Sequence, residues 1–258
     1  MAHPEQFRFI ALVKEHLLKQ AHLQKILEVG SYDVTGTIRA LFSESTTYIG
    51  ADLMAGPGVD LVKSGHEIDI ESNSLDLAIS CECFEHNPFW FETFQNMIRM
   101  TKPGGLVVFT CASRGRLEHG TDRSVATLSP GTSSRGWNYY RNLQQSDFES
   151  RMNLADHFTV FRFYFMPTYA DLYFFGLKKG GARPEFDLPV FESEVARIRL
   201  LERERFEHWG TLKRIVRKLY KMPLVAASLL LDDRRFQNFA LIYVKLGTMA
   251  LHLVGWKR

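Results

Sequence analysis

The sequence predicts an α/β fold: a doubly wound, mostly parallel sheet of seven strands ending in an antiparallel hairpin, followed by a mainly helical C-terminal appendage. Three observations predict it. Five short apolar runs, at 25–30, 47–52, 59–62, 75–80 and 106–111, read as buried strands. Helical segments fall between several of them, which calls for right-handed crossovers and parallel pairing. Finally, β-rich runs at 158–165 and 172–178 flank Met166, Pro167 and Asp171, a hairpin signal.

Along the chain, Phe7, Ile10, Ala11, Leu17 and Leu18 fall at helical spacing and predict an amphipathic helix over 5–22. Lys25-Ile-Leu-Glu-Val-Gly30 is the first strand, stopping at a glycine. Residues 33–42 are predicted helical, capped by Asp33 or Thr35. The second strand, 47–52, ends in Asp52. Asn87 and Pro88 predict a helix start, with Asn as N-cap and Pro in the first turn. That helix runs to about Arg99 and stops before Lys102-Pro-Gly-Gly105. Another helix is expected over 146–156. In the appendage, 191–208 predicts a solvated helix with Ile198, Leu201 and Phe206 inside. For 236–246, periodicity leaves strand and helix both open.

The composition is that of a globular chain: 258 residues, 45% hydrophobic and 24% charged, suffice for a core without disulfide staples and exclude disorder, collagen and coiled coil. The net charge of +3 hides an asymmetry. Residues 182–258 hold 15 Lys and Arg against 9 Asp and Glu, and residues 1–181 hold 17 against 20. The expected division is therefore a domain over 1–181 with its core at 25–181, and a basic extension over 182–258. Cys81, Cys83 and Cys111 include no C-x-x-C pair, so they read as reduced thiols. No signal peptide is legible at the N-terminus and no apolar run reaches the ~20 residues of a spanning helix. The expected compartment is the cytoplasm. Leu212, Ile215, Val216 and Leu219 share one helical face with lysines and arginines around them. That pattern suits packing on the core, a second subunit in a homo-oligomer, or peripheral contact with a membrane surface.

In an open parallel sheet a ligand sits outside the carboxyl ends of the strands, where strand order reverses. The first strand offers Glu28, Gly30 and Ser31. The second offers Asp52, 22 residues after Gly30, the offset at which an acid grips a ribose diol. Ser64 and Gly65 follow the third, and Cys81 ends the fourth. Together they can seat a nucleoside. Tyr32 stands where a dinucleotide site needs its second glycine, and no phosphate loop is present, so a nucleoside without phosphates fits better.

Four segments in order carry a family resemblance: Ile26-Leu-Glu-Val-Gly30, Tyr48-Ile-Gly-Ala-Asp52, 73–86 and Arg99 to Val107. Over residues 25–181, roughly three fifths of the chain, the sequence resembles a class I S-adenosylmethionine-dependent methyltransferase with a Rossmann-like sheet. The resemblance implies S-adenosyl-L-methionine as cofactor. It places Glu28, Gly30 and Ser31 on the methionine portion, Asp52 on the ribose hydroxyls, Leu53 beside the adenine, Ser64 and Gly65 at the base edge, and Cys81 in the wall. Ser64 stands where relatives often carry an acid.

A base is needed only where the acceptor is protonated, and His86 and His119 are the candidates. The long 112–145 segment reads as a lid or acceptor-binding loop. Its Trp137, Tyr139, Tyr140 and Arg141 would supply aromatic walls and a cation, and Arg114, Arg116, Arg123 and Arg135 make it basic, which suits a polar or anionic acceptor. Cys81 precedes Asn87-Pro-Phe-Trp90 by six residues, so the latter is not the strand-end signature of enzymes that methylate a nucleic-acid base. The slightly acidic core also argues against a nucleic-acid partner. The expected activity is methyl transfer to an oxygen or nitrogen of a small molecule or saccharide, with no metal. The alternative is a non-catalytic cofactor-binding scaffold whose extension contacts a partner or membrane.

Overall fold

β1 (Lys25–Val29), β2 (Thr47–Asp52), β3 (Leu61–Val62), β4 (Leu75–Cys81), β5 (Thr101–Ala112), β6 (Phe158–Met166) and β7 (Asp171–Lys178) form one sheet in the order β3-β2-β1-β4-β5-β7-β6. The first five strands pair in parallel, and β7 runs antiparallel to both β5 and β6. This is the predicted α/β sheet. The computed structural model describes residues 3–18, 23–34, 36–181, 187–198, 200 and 210–253, and of 248–253 the backbone alone.

Alternation along the central strands fills both faces. On one face, Leu27, Ala78, Phe109 and Phe174 pack with Phe94 and Met97 of α2 (Trp90–Met100) and with Phe148. On the other, Leu77, Ile79, Val108 and Phe175 pack with Phe9 and Ile10 of α1 (Pro4–Leu12) and with Phe191 and Ile198. Each such side chain contributes roughly 1.5–3 kcal/mol on burial. Phe109 carries the first layer, stacked on Phe148 at 4.8 Å and on Phe174 at 4.9 Å.

The remaining helices are α3 (Pro130–Ser134), α4 (Gln145–Glu149), α5 (Leu154–His157), α6 (Leu188–Ile198), α7 (Thr211–Leu230) and α8 (Asp233–Leu253). Several depart from the sequence-based expectation. The opening helix is α-helical to Leu12 and then widens to a π-turn over Val13–Leu17. Residues 33–42 hold only a 3₁₀ turn at Arg39–Leu41. Asp33 accepts the Gly36 N–H on Oδ1 (2.7 Å) and gives its own N–H to Pro57 O (2.9 Å), so the local turn consumes the would-be helix start. Thr35 lies outside the described residues.

α2 begins at Trp90 rather than at Pro88. Asn87 Oδ1 accepts the Phe89 N–H at 2.9 Å and so closes a turn ahead of the helix. The expected helix over 146–156 is two short ones, because Asn153 caps α5 by accepting from Ala155 N. Of the expected 191–208 helix the structure shows α6 to Ile198, which is buried; Leu201 and Phe206 lie outside the described residues. Residues 236–246 are helical within α8, whose start is capped by Asp232 accepting from Arg235 N (2.9 Å). Among the described residues no helix is long and apolar enough to cross a membrane.

Candidate active site

Strand order reverses between β1 and β4, and a cavity opens at the carboxyl ends of β1, β2 and β4. Gly30, immediately after β1, turns the chain with φ +84° and donates its N–H to Ala51 O at 2.8 Å. A Cβ there would meet the Cys83 Cβ at 2.6 Å, so only glycine fits this backbone. Asp52 ends β2 and accepts N–H groups from Tyr32 (3.1 Å) and Leu53 (2.6 Å). Burial raises its carboxyl pKa against those hydrogen bonds. Leu53, Ser64, Gly65 and Cys81 line the same cavity. Gly65 is packed so closely on Thr93 and Val29 that a side chain would collide with both. Ser64 Oγ pairs with His66 Nδ1 at 2.9 Å, and His66 stacks on Phe89 at 4.2 Å, giving one wall an aromatic edge that Trp137 continues.

Glu28 and Ser31 line a smaller adjoining cavity, with Gly30 and Cys81 shared between the two. Tyr48 donates its hydroxyl to Glu28 Oε2 (2.7 Å), and burial pushes the Glu28 carboxyl up to about 7. Ser31 Oγ is buried without a hydrogen-bond partner among the described residues, an unpaired polar group in the wall of that smaller cavity. The donor set therefore fits a nucleoside carrying an amino-acid chain. The cavity itself measures ≈ 90 Å³, against the ~300–1,000 Å³ usual for a ligand pocket. The cause is α3 and the residues before it: Leu128, Ser129, Pro130 and Thr132 roof the cavity, and a Cβ on Gly131 would sit 2.7 Å from Asp52 Oδ1.

His86 and His119 close the far side of this cavity, their rings edge to face at 4.9 Å, with Tyr140 within 5.4 Å of both. Burial lowers the pKa of each, His86 well below the usual range and His119 to about 4, so both are neutral at pH 7. His119 Nδ1 lies 3.0 Å from Leu117 O, an acceptor only; the proton sits on Nδ1 and Nε2 keeps its lone pair. Beside them is Glu85, fully buried, with neither carboxylate oxygen partnered among the described residues and its pKa raised well above the ordinary value by burial. One ligand atom from each of Glu85, His86 and His119 lies within 4.8 Å of the others, a set able to hold either a shared proton or a metal ion.

Sequence reasoning missed Glu85, because a glutamate beside a histidine carries no local sign of burial. It also missed the ion-pair cluster behind it. His3 Nε2 meets Asp171 Oδ2 at 2.9 Å and Arg116 reaches Asp171 at 3.6 Å. Thr110 donates to Glu82 at 3.0 Å, and Glu82 has φ +51° at the end of β4. Burial raises Asp171 to about 6; it works the same way on Glu82, where His3 and Arg116 outweigh it and hold the carboxyl below its usual value. The basic loop is also less free than its sequence reads. Arg116 is spent on Asp171, Arg123 on Glu118 (3.4 Å) and Arg141 on Asp147, and among the described residues no arginine lines the cavity.

Residues 27–109 match the family profile described as a methyltransferase domain. No curated protein matches the chain. Among solved structures, the chain is similar to the N-methyltransferase NodS of Bradyrhizobium japonicum in complex with S-adenosyl-L-homocysteine. Identity is 14%, the match covers 69% of this chain and 89% of that one, and the TM-score is 0.46. It is similar as well to the 1,6-didemethyltoxoflavin-N1-methyltransferase of Burkholderia thailandensis, at 16% identity, 69% and 80% coverage and a TM-score of 0.46. The matched segment runs from β1 to β5 and holds Gly30, Asp52 and Cys81. Residues 27–109 are thus similar to a methyltransferase domain, carried on a sheet of Rossmann-like topology.

Proposed function

We propose that this chain transfers a methyl group from S-adenosyl-L-methionine to an oxygen or nitrogen of a small molecule or saccharide. The observation that carries the reading is the meeting, in one cavity, of Gly30, Asp52 and Cys81 from three strand ends with two neutral histidines. In this reading Asp52 binds the ribose hydroxyls, Leu53, Ser64 and Gly65 edge the adenine, Glu28 and Ser31 hold the methionine portion, and Cys81 closes the wall. The cofactor supplies a methyl group already activated on a sulfonium. The protein's contribution is alignment of the acceptor and exclusion of water.

Residues 128–132 shut the cavity from above, and Tyr140 with the two histidines bounds the acceptor's end. An acceptor O–H or N–H gives its proton to an imidazole, His119 Nε2 being the better placed because Leu117 O holds its other nitrogen protonated. Glu85, within 4.8 Å, faces the imidazolium so formed. Residues 182–258 act as an extension to this 1–181 domain.

The reading is tested by following S-adenosylhomocysteine formation over a panel of saccharides, small alcohols and small amines. Turnover is expected with at least one class, falling roughly 10²- to 10⁴-fold in His119→Ala or His86→Ala. Full turnover in both variants would remove the base; none with any acceptor would remove the activity.

A further inference from the structure

We propose that the hairpin of α7 and α8 docks the protein on an anionic membrane surface. A helix at the surface of a globular protein ordinarily turns its apolar stripe inward. α7 does the reverse. Leu212, Ile215, Leu219, Met222 and Leu230 recur at helical spacing on one arc and are 70, 50, 59, 56 and 82% exposed. The covered side is the other one. Tyr220 packs on Tyr243 of α8 at 5.3 Å, and the Tyr243 hydroxyl donates to Tyr220 O at 3.1 Å. Leu224 and Ser228 face the 113–117 loop across a cavity of ≈ 960 Å³. α8 buries Phe236, Gln237 and Ala240 and leaves Ile242 and Leu246 exposed. Exposed apolar side chains recurring along one helical arc differ from the singly scattered leucines of an ordinary protein exterior.

The charge around that surface selects its occupant. Residues 210–247 hold eight Lys and Arg (213, 214, 217, 218, 221, 234, 235, 245) against Asp232 and Asp233. Lys213 and Lys218 are both exposed and Lys218 borders the apolar arc, so that their stems run along the helix and their ammonium groups reach the headgroup level. A second copy of the chain would bring two such positive surfaces face to face. An anionic bilayer supplies the opposite charge and the hydrocarbon boundary together, the pairing of two weak signals that holds a peripheral protein. Neither helix is long and apolar enough to span, so the hairpin lies in the interface. Val225 and Leu229 belong both to the exposed set and to the lining of the 113–117 cavity, so the lipid-facing surface is continuous with that cavity's rim.

Flotation of the full chain with phosphatidylcholine vesicles, with and without phosphatidylglycerol, tests this independently of methyl transfer. Binding to the anionic vesicles is expected roughly tenfold or more above the neutral ones, weakening as salt is added. Ile215→Glu with Leu219→Glu lowers it roughly tenfold or more, at unchanged far-ultraviolet circular dichroism. Lys213→Glu with Lys218→Glu, two exposed positions that leave the apolar arc intact, abolishes the preference for anionic vesicles. Three results would each overturn the proposal: no flotation, equal flotation of wild type and Ile215→Glu/Leu219→Glu, or a dimer in light scattering that this double variant dissolves while neither form binds vesicles.

Discussion

Glu28 carries a clear pH signature, because its carboxyl is buried on β1 with a hydrogen bond from Tyr48 and burial outweighs both that bond and the attraction of Arg39. Its folded pKa, about 7, lies above the ordinary 4.5, so between these values the folded protein keeps a proton that the unfolded chain has released. The stability it contributes is complete below pH 4.5 and is lost as pH rises through 7, in all roughly 3 kcal/mol at about 1.4 kcal/mol per pH unit. Glu28→Gln keeps the Tyr48 hydrogen bond without the charge. Urea unfolding is expected to show the variant gaining on wild type from pH 5 to pH 8 by that amount; a pH-independent difference would refute the burial account. Gly30, Asp52, Leu53, Ser64, Gly65 and Cys81 were legible because a strand end followed by a glycine or an acid is a local pattern. Glu85 and Asp171 were not: what distinguishes them is the lack of water and the identity of distant neighbours, His3 among them, which no spacing encodes.

At the scale of elements, the central strands were readable because they are buried on both faces and so appear as predominantly apolar runs; all seven residues of β4 are buried. The short helices were less so. Side-chain hydrogen bonds decided them, Asp33 to Gly36 N replacing a helix and Asn153 to Ala155 N splitting one, and these compete with the helix period without changing it. The segment roofing the cavity follows the same rule. α3 is five residues long and is held by Thr132 and Ser133 donating to Ser129 O, with no side-chain cap. With only ≈ 90 Å³ beneath it, this roof must lift for a nucleoside to enter. Opening exposes its amides, and a bound ligand suppresses further opening. Hydrogen exchange at 126–134 is therefore expected to slow when S-adenosylhomocysteine is added, with the β4 amides unchanged; identical exchange with and without ligand would place the roof outside the site.

Across the whole molecule, one topological fact positions the chemistry: β1 and β4 are neighbours although two strands separate them in sequence, so the chain leaves the sheet in opposite directions at their carboxyl ends and opens the crevice there. The strands and their parallel pairing are legible in the apolar runs and the helices between them, whereas the neighbouring of β1 and β4 is a fact of the fold. The uneven charge follows from composition, but its meaning rests on α7 turning its apolar arc outward, which helical periodicity cannot reveal because a period gives no sense of inside. The account stands on the crevice being a nucleoside site gripped by Asp52. Titration calorimetry with S-adenosylhomocysteine measures this most directly, since Asp52→Ala removes the carboxylate while Gly30, Cys81 and the strand ends remain. Wild type is expected to bind, and the variant to bind roughly tenfold to a hundredfold more weakly, as the loss of hydrogen bonds to a charged group implies. No binding by wild type, or equal affinity in Asp52→Ala, would contradict the account.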